Sequence, residues 1–146
     1  MILGFTGTRR GMTPAQLATF RMEYAKRSIG LSRFLHGGAA GADTEAHGVA
    51  VSFTRSSDIH IYPSDEERAA RWMTSWPQAI VSPPMPPLQR NRIIAQGCDQ
   101  LIACPAEADE QLRSGTWATV RYARAAGKPI TIIIPGGSTK IEDSVI

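Results

Sequence analysis

The sequence predicts an α/β protein in which two layers of helices cover a mainly parallel five-stranded sheet. Apolar segments of four or five residues alternate with amphipathic segments along the whole chain, which is typical of a parallel sheet with helices on both faces. The length of 146 residues matches one domain with a full core. Polar, glycine-bearing turns follow three of the strands. These observations predict a Rossmann-like three-layer sandwich formed by a single domain, residues 1–146.

The composition is that of an ordinary globular protein and permits an anionic partner. Hydrophobic residues make up 42% and charged residues 20% of the chain, and the formal net charge is +3. Arginine accounts for 13 of the 16 basic residues and is suited to bidentate contact with phosphate. No run approaches the roughly 18 apolar residues of a membrane span, and residues 1–5 lack a basic leader. We therefore expect a cytoplasmic protein with no membrane partner.

The first strand and helix have clear boundary signals. Residues 1–5 are apolar and predict a buried parallel strand. Thr13, Pro14 and Gln16 predict a helix start, because they supply an N-cap, a proline at the first helical position and a capping box. Between strand and helix, the polar turn 7–11 carries two arginines on backbone that can face a ligand.

The second strand, residues 32–36, leads into a glycine-rich turn. Gly37, Gly38 and Gly41 let the backbone turn tightly, so that N–H groups and a helix N-terminus can face an anion. Asp43 is predicted to cap a helix that runs to about residue 53. Asp43 and His47 lie four residues apart, but no third ligand is evident. We expect no metal site and a structural role for the histidine.

The middle of the chain predicts a third strand over residues 58–62 and a second capping box over residues 64–67. That capping box explains the acidic cluster 65–67 without catalytic carboxylates. Trp72 and Trp76 near the end of the following helix are expected to pack in the core. Four prolines in residues 82–87 predict a stiff loop that either hinges or forms one wall of a pocket.

The last third of the chain supplies two more helices and two more strands. A helix over residues 88–96 begins with the Arg-Asn-Arg sequence at 90–92, against the preference for acids at helix starts, which indicates a functional site. Strand 100–104 precedes a helix capped by Ser114 and ending at Gly127. Strand 130–134 follows, and the tail 138–146 is expected to form an edge or an oligomer contact. The two cysteines at positions 98 and 104 are interpreted as core thiols.

Four motifs in order resemble the SLOG superfamily over nearly the whole chain. They are the Gly-Thr-Arg turn after the first strand, GGAAGAD before the histidine-containing helix, RNRIIA, and SGTWAT before a GKPI strand. The superfamily joins the DNA-processing protein A (DprA) family, the LOG cytokinin-activating phosphoribohydrolases and many small nucleotide-binding proteins. Residues 37–47 and 90–92 look most like DprA. The resemblance implies a homodimer or larger oligomer that binds single-stranded DNA or nucleotide phosphates, and some short members recognise NAD-derived or ADP-ribose-type nucleotides.

Three functions follow as alternatives. The first is binding of a nucleotide-type small molecule without any cofactor, and the second is binding of single-stranded DNA. The third is hydrolysis of an N-glycosidic or phosphoester bond, with Asp43 or Glu107 as the catalytic candidates. The LOG glutamate position is Thr119 here, whose hydroxyl cannot replace a carboxylate. The predicted ligand-binding residues are Gly7, Thr8, Arg9, Arg10, Gly37, Gly38, Ala39, Gly41, Asp43, Arg90, Asn91, Arg92, Ser114, Gly115 and Thr116.

Overall fold

The computed structural model describes residues 1–66 and 79–143. Within these ranges strands and helices alternate along most of the chain, as predicted, and the last two strands follow each other directly. The helices are α1 Pro14–Ser28, α2 Ala42–Ala50, α3 Pro87–Gly97 and α4 Gly115–Ala125. The strands are β1 Ile2–Gly7, β2 Arg33–His36, β3 Ile59–Ile61, β4 Ile80–Val81, β5 Gln100–Cys104, β6 Ile130–Ile133 and β7 Thr139–Glu142.

The strands form one sheet in the order β4-β3-β2-β1-β5-β6-β7. All neighbouring pairs are parallel except β6 and β7, which form an antiparallel pair. The Rossmann-like class is confirmed, but the prediction of five strands is wrong, because the sheet has seven. The two extra strands lie at the edges and are largely exposed. Such strands lack the buried apolar run by which a central parallel strand is recognised.

Alternation of side chains along the strands places an apolar layer on each face of the sheet. One layer joins Leu3 and Phe5 of β1 to the aromatic residues of α1 and to α2. The other joins Leu101 of β5 to α3 and to Trp117 of α4. Successive side chains in a strand point to opposite faces, so a strand between two helical layers must be apolar at every position. Both layers are therefore closed by helices, as the sequence predicts.

Two helices test the predicted boundaries most directly. The N-cap of α1 is Thr13, with both hydrogen bonds of the capping box formed to Gln16, as predicted. The prediction for α2 is wrong at both ends. Gly41 is the N-cap, Asp43 lies inside the first turn, and the helix ends at Ala50 rather than near residue 53. The carboxylate of Asp43 is directed to the preceding loop instead, as described below.

The helix predicted after the second capping box, with Trp72 and Trp76, lies outside the described residues. In the part of the chain that the structure describes, no helix has both the length and the apolar character needed to cross a membrane.

Candidate functional site

A cleft of about 280 Å³ opens at the carboxyl end of the sheet, where β1 and β5 are neighbours. The sheet grows outward from this pair in both directions, with α1 and α2 on one face and α3 and α4 on the other. Open α/β sheets bind ligands at such a topological switch point, because the loops that leave the two strands diverge to opposite faces. The cleft is lined by the end of β1, by the loops that follow β2 and β5, and by the starts of α3 and α4.

The turn after β1 forms one wall of the cleft and carries the exposed side chains of Arg9 and Arg10. It is fixed to α2 at two points. The carbonyl of Thr8 accepts from Ala42 N at 3.0 Å, and the carboxylate of Glu45 accepts from Met12 N at 2.6 Å. Both arginines thus line the cleft from an anchored backbone.

The close approach of this turn to α2 depends on Gly41. Its φ is +85°, and a Cβ there would overlap the carbonyl oxygen of Arg9. Only glycine fits both conditions without strain. The glycine therefore brings the arginine turn against α2, and it does not itself line the cleft.

The glycine loop after β2 uses its N–H groups within the protein. Asp43 Oδ2 accepts from Gly37 N at 3.2 Å and from Ala39 N at 3.1 Å. Gly38 N donates to His36 Nδ1 at 3.0 Å. The expectation that these N–H groups face an anion is therefore corrected: an internal carboxylate and an imidazole accept their hydrogen bonds. Asp43 acts as a brace for the loop, although it also lines the cleft.

A buried histidine pair supports the same loop from below. Because His36 Nδ1 accepts from Gly38, its proton lies on Nε2, which donates to His47 Nδ1 at 2.9 Å. Burial lowers the pKa of His36 well below its usual range and lowers the pKa of His47 to about 4. Both rings are therefore neutral at neutral pH. Among the described residues, no group of three or more His, Cys, Asp or Glu could hold a metal ion.

The start of α3 places Arg90 and Asn91 at the base of the cleft. Arg90 is only 5% exposed, and its Nη1 donates to the carbonyl of Gly37 at 2.9 Å. Its Nε donates to Asn91 Oδ1 at 2.7 Å. The unusual basic start of this helix thus reflects a buried guanidinium that joins α3 to the end of β2. Arg92 points elsewhere, and its guanidinium lies 5.0 Å from the centre of the Tyr122 ring.

The start of α4 forms another wall of the cleft. Ser114 is the predicted N-cap, and its Oγ accepts from Trp117 N at 3.2 Å. The N–H groups of Gly115 and Thr116 lie in the first turn, where a helix offers them no acceptor. The exposed Arg113 precedes this turn and lines the cleft.

The remaining candidate acid and the LOG glutamate position have structural contacts. Glu107 lines the cleft, and its Oε1 accepts from the indole Nε1 of Trp117 at 3.1 Å. Thr119 is buried, and its hydroxyl donates to the carbonyl of Gly115 at 2.9 Å. Thr119 does not line the cleft.

The cleft brings together most of the residues predicted from the motifs, but Gly38, Gly41 and Arg92 do not line it. The predicted residues that line it are Gly7, Thr8, Arg9, Arg10, Gly37, Ala39, Asp43, Arg90, Asn91, Ser114, Gly115 and Thr116. Pro87 lines the cleft at the end of the segment 82–87, for which a pocket wall is one of the two predictions. Sequence reasoning missed six further lining residues: Phe5, Thr6, Leu88, Ile94, Ala106 and Arg113. Arg113 had a usable signal, since it directly precedes the capping Ser114.

No protein-family model and no curated protein sequence matches the chain. Solved structures do. DNA processing protein A from Helicobacter pylori, described for its single-stranded DNA binding mode, is 23% identical with a TM-score of 0.64 over 90% of this chain and 64% of that chain. DNA processing protein A from Streptococcus pneumoniae is 20% identical with a TM-score of 0.68 over 89% of this chain and 49% of that chain.

A third similar structure is the structural-genomics protein TM1055, 17% identical with a TM-score of 0.60 over 88% of this chain and 71% of that chain. The chain thus spans 64% and 49% of the two DNA processing proteins. At these identities the similarity concerns the fold. The chain has a Rossmann-like fold similar to that of the DNA processing proteins A.

Proposed function

We propose that the cleft binds a phosphorylated nucleotide or a nucleotide-derived small molecule. The main support for this proposal is the net positive charge of the residues that line the cleft. Four arginines line it against two carboxylates, Asp43 and Glu107; three of the arginines, Arg9, Arg10 and Arg113, are exposed, and the buried Arg90 is held by a main-chain carbonyl. Both carboxylates accept hydrogen bonds from the protein. A ligand therefore meets mainly cationic groups and hydrogen-bond donors, which suit phosphate.

The phosphate end of the ligand is assigned to the start of α4. The N–H groups of Gly115 and Thr116 and the positive end of the helix dipole favour an anion there. Arg113 stands directly before this turn, and Arg9 and Arg10 line the same cleft from the turn after β1. These three arginines are exposed, so they can close on a phosphate without the desolvation cost that a buried charge carries.

The nucleoside end is assigned to the apolar part of the lining. Pro87, Leu88 and Ile94 of α3 lie on one side, and Ala106 follows β5. The volume of about 280 Å³ lies near the lower limit of ligand pockets, which run from about 300 to 1,000 Å³. It suits one nucleotide unit better than a long ligand.

Single-stranded DNA is the second candidate, because two of the similar structures are DNA processing proteins A and one is described for binding single-stranded DNA. This function predicts an affinity that rises with oligonucleotide length and falls steeply with salt, since several phosphates release counterions. The homodimer or larger assembly implied by the sequence resemblance stays a prediction, which light scattering on a sizing column would test.

The test is isothermal titration calorimetry with AMP, ADP-ribose, NAD and a matched single-stranded oligonucleotide. We expect one of the three nucleotides to bind, and Arg113→Glu to weaken that binding at least about 100-fold, because it loses a charge-assisted contact and adds repulsion. Arg92→Glu is the matched control: it reverses an exposed arginine that does not line the cleft.

Equal affinity of wild type and Arg113→Glu for the nucleotide would refute the assignment of the cleft. Binding of the oligonucleotide alone would replace the small-molecule function with the DNA-binding one. A melting temperature of Arg113→Glu close to that of wild type would show that any loss of binding is not a loss of folding.

A further inference from the structure

Arg90 fixes which way the side-chain amide of Asn91 faces. The Nε–H of Arg90 donates to Asn91 Oδ1 at 2.7 Å. A guanidinium has only donors, so the amide oxygen must face it and the amide nitrogen must face away. The polarity of the amide is therefore set by chemistry, and a flipped amide would bring two donors together.

The guanidinium is itself held in place. Its Nη1 donates to the carbonyls of Gly37 at 2.9 Å and Tyr62 at 3.3 Å. A Cβ on residue 37 would overlap this nitrogen, so the guanidinium packs directly on the backbone of the glycine loop. With 5% of its surface exposed, Arg90 cannot swing into the cleft without breaking these bonds. Arg90 therefore acts through Asn91, by fixing the orientation of its side-chain amide.

The amide nitrogen of Asn91 lies beside the start of α4. Nδ2 is 3.4 Å from the carbonyl oxygen of Gly115, a long contact that engages at most one of its two hydrogens. Asn91 is 8% exposed and lines the cleft. The second hydrogen is thus available to a ligand, next to the first-turn N–H groups and the 8% exposed Thr116. Donors converge here, and a phosphate oxygen is the acceptor that satisfies them.

We propose that Asn91 is a donor to a phosphate oxygen of the ligand and that Arg90 is the positioning residue that fixes its polarity. The proposal rests on the proposed function. It gives residue 91 a role in specificity: its amide N–H binds an oxyanion and disfavours any ligand group that itself presents a hydrogen at this point.

Two substitutions of Asn91 separate this role from a structural one. Asn91→Asp keeps an acceptor for Arg90 and turns this contact into an ion pair, which offsets the loss of the long contact between Nδ2 and the Gly115 carbonyl, so the melting temperature stays near that of wild type. It removes the donor and places a carboxylate against phosphate. Asn91→Ala removes the donor without repulsion and leaves the buried Nε–H of Arg90 without its acceptor. We expect the affinity for AMP to fall about 10-fold in Asn91→Ala and at least about 100-fold in Asn91→Asp.

The order of the two losses decides the outcome. AMP binding that is as tight in Asn91→Asp as in Asn91→Ala, or tighter, would overturn the phosphate contact, because a carboxylate accepts from a ribose hydroxyl but repels an oxyanion. Wild-type affinity in Asn91→Ala would overturn any ligand contact. In both cases the proposed function would be retained if Arg113→Glu still weakens the binding of AMP. No AMP binding by the wild-type protein would overturn the phosphate contact along with the AMP form of the function.

Discussion

Replacing Gly37 by alanine tests whether the loop after β2 and the start of α3 form one fixed unit. The added Cβ would overlap Nη1 of Arg90 and lie 2.9 Å from its Cζ and 3.0 Å from Asp43 Oδ2. The guanidinium must then move, with loss of its bonds to the Gly37 carbonyl at 2.9 Å and to Asn91 at 2.7 Å. Hydrogen bonds to charged groups contribute about 1.5–3 kcal/mol each. We expect a destabilisation of about 3–5 kcal/mol.

The assay is urea unfolding followed by circular dichroism, with Gly48→Ala as the control. Gly48 lies in α2, is exposed, and has no heavy atom within 4 Å of the position that a Cβ would take. Alanine there should stabilise by about 0.8–1 kcal/mol through helix propensity alone. Glycine to alanine is therefore expected to lower the free energy of unfolding at residue 37 and to raise it at residue 48. Unfolding of Gly37→Ala within about 1 kcal/mol of wild type would refute the contact between Arg90 and the glycine loop.

Three further predictions concern the parts that support the cleft. Burial lowers the pKa of His47 to about 4 and that of His36 well below its usual range, while an unfolded histidine titrates near 6.5, so the unfolded state binds more protons as the pH falls below 6.5; stability should drop by at least about 2 kcal/mol from pH 7.5 to pH 5, and a flat urea midpoint would contradict this. Glu45→Ala should destabilise by about 1.5–3 kcal/mol and speed hydrogen exchange of the Met12 amide, whereas Glu45→Gln keeps an acceptor and should restore protection. Gln16→Met should cost about 2–4 kcal/mol in thermal unfolding, because the Gln16 amide donates to two main-chain carbonyls at 2.8 and 2.9 Å in the buried interior; a cost below about 1 kcal/mol would mean that water replaces both bonds.

The glycine turns show where sequence reasoning about the site succeeded and where it failed. The turns after β1 and β2 and before α4 meet at one cleft, as the parallel order of the strands predicts. The direction of the N–H groups after β2 could not be predicted, because it depends on the rotamer of Asp43. A short acidic side chain near a helix start is typical of an N-cap, but it can equally turn back to the loop before the helix.

The Arg-Asn-Arg sequence shows the same division. Its place at a helix start marked it as unusual, yet the three side chains go to different surroundings: Arg90 is buried under the glycine loop, Asn91 lines the cleft, and Arg92 stacks on Tyr122. Adjacent residues of a helix point about 100° apart, so the three consecutive residues of this motif cannot all contact the same site.

Local signals in the sequence determined the class of the fold, the capping of α1 by Thr13, the central strands and the set of turns at the carboxyl edge of the sheet. These features depend on apolar periodicity, on helix capping and on the backbone freedom of glycine, all of which are written into neighbouring residues. Tertiary structure alone decided the pairing of the edge strand β4, the direction of the Asp43 carboxylate and the burial of Arg90 under the glycine loop. The β4 pairing and the burial of Arg90 arise from contacts between residues far apart in the chain, which leave no periodic trace in the sequence. The direction of Asp43 is a local contact, but it depends on a side-chain rotamer that the sequence does not specify.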